Sequence, residues 1–471
     1  MSNLEGATFS EVLVLTLVIV FASLLRKTIQ NTIKIDGSTW LVLLTDFAVV
    51  VVPGILALTV LSENVDQICA AILVAAAIGI VRTKQLALAG RSLRSTAHVS
   101  HSYGPTPDYV FDSLTEYRSI LCLYTFISIL AVDFRAFPRR FAKAEVYGTG
   151  LMDVGVGSFI ISDALFSKLD HDTAVASSDK SSEKNLTKLT LKASLQLALV
   201  GILRIALTKA ISYQEHVGEY GVHWNFFVTL ALVKLLGLVV PTKACGLIGL
   251  LIASSYQFAL SGGGLAGYVN EGYRDPTNLF SLNKEGIISL AGYFALHCLA
   301  RFYALSSEMH VLTERHYNKS SSEKTKKQVA FRHFYYTCFF TAGCWTLAYF
   351  LDAKVERVSR RSVNAAYIFW VMANNLTWLS FTYVGRLVLD LYENVHLCST
   401  INKFAFFAFL FANVLVGVIN SAVNTLAVDS LVALATVASY MLAICVFTHI
   451  LYSKAKHSGK KKINHTPESE L

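Results

Sequence analysis

Runs of apolar side chains recur along the chain, separated by short polar stretches, and each run is close to the roughly 20 residues that a bilayer core requires. They predict spans at Glu11–Leu25, Trp40–Leu61, Gln67–Val81, Ser119–Val132, Gly148–Phe166, Ala193–Tyr213, Trp224–Val240, Ala244–Leu260, Gly286–Leu305, Phe334–Leu351, Asn364–Leu387, Phe404–Ala422 and Ser430–Leu451, about 13 in all. No alternation of period two runs through them, and there are only seven prolines. The predicted fold is therefore all-α, a polytopic transmembrane helical bundle and not a barrel. The Ser- and Lys-rich stretch near residue 180, the segment Ser320–Lys327 and everything after Ser453 read as disordered. Residues 1–453 are thus expected to form a single multi-span domain, with 454–471 a basic cytosolic tail.

Composition agrees: 54% of residues are hydrophobic, 15% are charged and the mean hydropathy is +0.49, which excludes a soluble globular protein of 471 residues. The net charge of +9 is mostly topological. Alternate loops carry Arg26, Lys27 and Lys34, then Arg82, Lys84, Arg91 and Arg94, then Lys168 to Lys188, then Arg315 to Arg332, and finally Lys454 to Lys462. Loops rich in Lys and Arg stay cytoplasmic, so an odd number of spans puts the N-terminus on the lumenal side and the C-terminus in the cytosol. No nucleic-acid-binding module is visible. The eight cysteines form no Cys-x-x-Cys pair and are expected to pack, with no metal site.

Two predicted lumenal loops break the charge rule. The first runs from Asp133 and holds Arg135, Arg139, Arg140, Lys143 and Glu145 around Pro138; the second holds Lys354, Arg357, Arg360 and Arg361. Cations on the translocated side point to a local anionic partner. Asp133 ends a span, where partial desolvation raises a carboxylate toward useful base strength. On one unbroken helix Asp133 and Lys143 would lie about 15 Å apart along the axis. Proline breaks or starts helices, so Pro138–Tyr147 is predicted to be a short helix folded back on the first, with Arg139, Lys143 and Tyr147 on one face. Gly148, Gly150, Gly155 and Gly157 follow, with Asp153 among them; they read as helix-packing glycines.

A second polar set runs from Tyr213 through His216, Glu219, His223 and Trp224 to Asn225. Lys209, Tyr213 and His216 share one helical stripe, and Arg204 lies deeper in the same span. Asn283, Lys284 and Glu285 open another span on the same face, and Asn413, Asn420 and Asn424 stud the twelfth span and its exit. Residues alone leave three readings open: a carboxylate base and an anionic head group sharing a pocket at the Asp133 loop, a histidine-centred membrane O-acyltransferase using His216 or His223, and a lipid transporter or scramblase lined by Arg204, Lys209 and Asp153.

The run Asp-Phe-Arg-Ala-Phe-Pro-Arg-Arg-Phe-Ala-Lys-Ala-Glu-Val-Tyr-Gly-Thr-Gly-Leu-Met-Asp-Val-Gly-Val-Gly from Asp133 resembles the signature of the inositol acyltransferases of glycosylphosphatidylinositol (GPI) anchor synthesis. Tyr213–Phe227, Asn283–Tyr293 and Val358–Asn364 are similar to further blocks of that family, in order along the chain. The resemblance implies a multi-pass enzyme of the endoplasmic reticulum that moves a fatty acyl group, usually palmitoyl, from acyl-CoA to the inositol 2-hydroxyl of glucosaminyl-phosphatidylinositol. Acyl-CoA is then a co-substrate, and no permanently bound cofactor is expected. The resemblance carries the catalytic pair onto Asp133 and Lys143. Substrate-binding candidates are Arg139, Arg140, Tyr147, Asp153, His216, Glu219, His223, Trp224, Asn225, Asn283, Lys284, Arg360 and Arg361, with the arginines suited to lipid or CoA phosphates.

Overall fold

The computed structural model describes residues 6–32, 39–93, 109–176, 180–210, 218–317 and 323–463. Among them there is no strand, and only isolated bridges join Gly6 and Ala7 to Thr149. The first helices are α1 (Phe9–Thr32), α2 (Thr39–Asp46), α3 (Val52–Leu58), α4 (Val65–Leu93) and α5 (Tyr109–Ala131). Next come α6 (Leu151–Ala176), α7 (Lys180–Ala210), α8 (Phe226–Val239), α9 (Cys245–Ser261), α10 (Leu265–Asn270), α11 (Leu279–Leu282), α12 (Lys284–Tyr317), α13 (Glu323–Lys354) and α14 (Ala365–Tyr383). The last are α15 (His396–Lys403), α16 (Ala405–Ala422) and α17 (Ser430–Ile463).

Every predicted span overlaps described helix, and the stretch Trp40–Leu61 is divided between α2, a π-helical turn at Phe47–Val51 and α3. Among the described residues nine helical segments, from α1, α2–α3, α4, α5, α7, α9, α12, α16 and α17, are long and apolar enough to cross a membrane. The apolar helix α8 is shorter. The helices collect into two compact units, Met1–Phe9 with Arg140–Ser380, and Ser10–Arg139 with Phe381–Leu471. In the first, α12 packs against α6, α8 and α9, and α7 lies along α8. In the second, α5 packs against α15, α16 and α17.

Four local expectations are corrected. The polar stretch near residue 180 is not a linker over most of its length, since α7 begins at Lys180. Likewise α13 begins at Glu323 and α17 continues to Ile463. Lys, a good helix former, recurs in all three extensions and is joined by Glu in α7 and α13, so an apolar helix continues into polar sequence. Finally, Pro138–Tyr147 does not form a helix: one 3-10 turn spans Arg139–Phe141 and the chain is irregular from there to Gly150. The cause is tertiary. Asp153 at the start of α6 accepts the backbone N–H groups of Ala144 (3.0 Å) and Gly150 (2.8 Å), which a helix through this segment would have taken internally.

The second unit is held by buried charge. Arg26 on α1 donates to Asp46 on α2 at 2.6 Å, and Asp46 also accepts the Leu397 N–H at 2.9 Å. Lys27 and Arg386 both pair with Glu116 on α5, and Ser23 donates to the same carboxylate. Arg386 sits in a π-helical turn, Val384–Val388, and donates to the carbonyl of Tyr392 at 2.9 Å. The stretch between α14 and α15 is thereby tied to α5.

Candidate active site

In the first unit the loop before α6 is latched to the loop before α14. Gly148, at φ +130°, adopts a conformation open chiefly to glycine, and its N–H donates to the Val358 carbonyl at 2.8 Å. Ser359 donates to the Val146 carbonyl at 2.6 Å, and the Tyr147 hydroxyl donates to Glu356 at 2.9 Å. Glu356 also accepts from Gln257 on α9 at 2.6 Å, and Gln257 in turn accepts the Ala365 N–H at 2.8 Å. Asn364 caps α14 by accepting the Tyr367 N–H at 3.0 Å. Just before it Val363 stands at φ +52°, a costly conformation for a β-branched residue that persists only where surrounding structure imposes it. The N-terminal segment completes the latch: Ala7 and Thr149 exchange 2.6 Å hydrogen bonds, and Phe9 stacks on Trp370.

These latches assemble a charged cluster. Arg360 donates from Nε to Asp153 Oδ1 at 2.9 Å, and its Nη2 lies 3.4 Å from Glu219 Oε1. Glu219 is ion-paired with Lys143. Beside it Arg361 (3.1 Å) and Arg274 (2.6 Å) share the Glu285 carboxylate at the start of α12. The turn carrying Glu219 is fixed to that helix: the Gly286 N–H donates to the Tyr220 carbonyl at 3.0 Å, the Val222 N–H to the Leu282 carbonyl at 3.0 Å, and the His223 N–H to the Asn283 side chain at 2.7 Å. The anionic partner expected for the loop cations is thus supplied for Lys143, Arg360 and Arg361 by the protein's own Asp153, Glu219 and Glu285.

Other predicted residues take structural roles. Asn225 caps α8, accepting from the N–H groups of Phe227 and Val228. Trp224 donates to Thr229 at 2.9 Å and covers Gly286. Lys284 turns onto the carbonyls of Tyr268 (2.6 Å) and Gly272 (2.5 Å). The His223 side chain is exposed. Arg140 lies over the Phe141 ring. His216, with Tyr213 of the predicted stripe, lies outside the described residues.

Asp133 belongs to the second unit, just beyond α5. Asn420 on α16 donates to its Oδ2 at 2.8 Å, and Arg139 donates to the Val132 carbonyl nearby at 2.8 Å. Burial raises the Asp133 carboxyl above the usual aspartate range, against the opposing pull of Asn420 and Arg139. Glu219 goes the other way. Burial alone would push it up, but the Lys143 ammonium and the Arg360 guanidinium outweigh that and hold it at about 2. Burial works against the charge on Arg360, and the Glu219 and Asp153 carboxylates more than restore it. Tyr147 is pushed up to about 12 by burial and by its bond to Glu356. The chain therefore holds a carboxylate of raised basicity on one unit and a fixed, partly exposed ammonium on the other.

Comparison with known proteins gives a consistent picture. The family model described as GWT1 matches residues 1–451. The chain is 30% identical, over 492 aligned positions, to the phosphatidylinositol-glycan biosynthesis class W protein of Dictyostelium discoideum, covering 96% of this chain and 95% of that one. It is 31% identical to the GPI-anchored wall transfer protein 1 of Aspergillus oryzae over 94% of each chain. To the human glucosaminyl-phosphatidylinositol-acyltransferase PIGW it is 32% identical, over 72% of this chain and 73% of the human one. With the family pattern running through nearly its whole length, the chain belongs to the GWT1 family.

Proposed function

We propose that this protein is an acyl-CoA-dependent inositol O-acyltransferase of GPI-anchor synthesis, acting on glucosaminyl-phosphatidylinositol in the endoplasmic reticulum membrane with the reacting loops on the lumenal side. The observation that carries the reading is the similarity, over more than two thirds of each chain, to a human protein named as a glucosaminyl-phosphatidylinositol-acyltransferase. The chemistry of the residues supports it. Asp133 takes the proton of the inositol 2-hydroxyl as the oxygen attacks the thioester carbonyl. Lys143 stabilises the negative charge that develops on that carbonyl oxygen. The tetrahedral intermediate collapses with cleavage of the C–S bond, and the proton held by Asp133 passes to the departing CoA thiolate. The ester forms with no protein nucleophile. Palmitoyl-CoA is the proposed donor, and Arg139, Arg140 and Arg361 are the proposed phosphate ligands.

Lipid analysis of cells lacking the protein tests this. Non-acylated glucosaminyl-phosphatidylinositol is expected to accumulate, and the intact chain to restore acylation while Asp133→Asn does not. Normal acylated precursor in the deleted cells would rule the function out.

A further inference from the structure

Lys143 sits in a closed ring of interactions, and the ring assigns roles to three residues whose types alone would suggest substrate contact. From the ammonium the path runs to Glu219, from Glu219 to Arg360 Nη2, and from Arg360 Nε to Asp153 Oδ1. The other oxygen of Asp153 accepts the N–H of Ala144, the residue next to Lys143, and that of Gly150. Side chain and backbone of Lys143 are therefore both referred to the same buried carboxylate. Exposure falls steadily along the path: 38% for Lys143, 18% for Glu219, 4% for Arg360 and 0% for Asp153. Two cations and two anions balance within it, so deleting any one leaves a charge uncompensated. Arg204 on α7 adds a more distant positive charge near Glu219.

We propose that Glu219, Arg360 and Asp153 are positioning residues for Lys143, acting through it and not by touching the acyl acceptor. The proposal rests on the catalytic role given to Lys143 above. It divides the site by depth: only the outermost member meets substrate, and the inner three hold its amine where negative charge develops. A supporting shell of this kind is what turns a flexible lysine into a fixed electrostatic group.

The test reads Lys143 directly and separately reads the rate. The full-length protein in detergent is labelled with acetic anhydride at one fixed pH, and acetylation of Lys143 is followed by mass spectrometry against the other lysines as internal references. Glu219→Gln removes the counter-charge, and labelling of Lys143 is expected to rise about tenfold. Arg360→Gln leaves Glu219 undivided on Lys143, and labelling is expected to fall. Unfolding cannot produce that opposite sign, because an unfolded chain exposes the amine in every variant. In the acylation assay both variants are expected to lose about 100-fold in kcat with KM for the acceptor little changed. Glu219→Asp, which keeps the charge on a shorter arm, is expected to restore the labelling and part of the rate. Unchanged labelling in Glu219→Gln, or an effect confined to KM, overturns the proposal. The labelling needs no lipid substrate, so it stands or falls apart from the assigned reaction, whereas missing inositol acylation in every form of the protein would sink the assigned reaction alone.

Discussion

Two carboxylates of this chain are displaced in opposite directions, and each displacement has a measurable consequence. Asp133 is raised by burial, while the amide of Asn420 favours its charged form. A general base works only when deprotonated, so activity should fall on the acid side through this raised value. Replacing Asn420 with Leu withdraws a donor from the carboxylate, and the acid limb of kcat/KM is expected to move to still higher pH; a limb that stays in place would disconnect Asn420 from the base. Glu219 is depressed from an ordinary 4.5 to about 2. A lowered folded-state value contributes stability that is present above the unfolded value and is lost as pH falls from about 4.5 through about 2. The melting temperature of the detergent-solubilised protein should drop through that window, and Glu219→Gln should flatten the drop while lowering stability at neutral pH. Both residues stand out in the sequence as polar groups beside or within apolar spans. Their pairings do not: Asn420 lies 287 positions from Asp133, and the pairing of Glu219 with Lys143 is set by how α6, α12 and the loop before α14 converge.

At the level of elements, helix positions are legible because a run of about 20 apolar residues has one stable form in a bilayer. Helix ends are less so, since polar residues extend α7, α13 and α17 beyond their apolar runs. The segment after Pro138 is misread because its N–H groups are claimed by a side chain on the following helix, a contact with no local signature. The glycines at the start of α6 also separate by structure. A side chain at Gly157 would stand 2.8 Å from Val371 and 3.1 Å from Leu296, where α6 meets α14 and α12. Gly155 has nothing within 4 Å of the same position. Gly157→Ala should therefore overpack the contact and cost about 1–3 kcal/mol, seen as a lower melting temperature. Gly155→Ala should be neutral or stabilise by up to about 1 kcal/mol. Equal effects at the two sites would mean that α6 does not pack on α12 and α14 as described.

For the molecule as a whole, the proposed orientation, N-terminus lumenal and C-terminus cytosolic, rests on the Lys and Arg of the short loops, a rule in which acidic partners weigh little. Folding pairs several of the cations on either side of that count: Arg26 and Lys27 are buried against Asp46 and Glu116, and Arg360 and Arg361, which break the charge rule, are paired with Asp153 and Glu285. The pairs explain how such cations are accommodated in the folded chain, and the orientation itself is a prediction for experiment. Reporters at the two ends check it. In cells whose plasma membrane alone is permeabilised, an antibody should reach an epitope at the C-terminus and not one at the N-terminus, and full solubilisation should expose both. The reverse pattern would turn the Lys143 loop toward the cytosol and require the acyl acceptor to be met on that face.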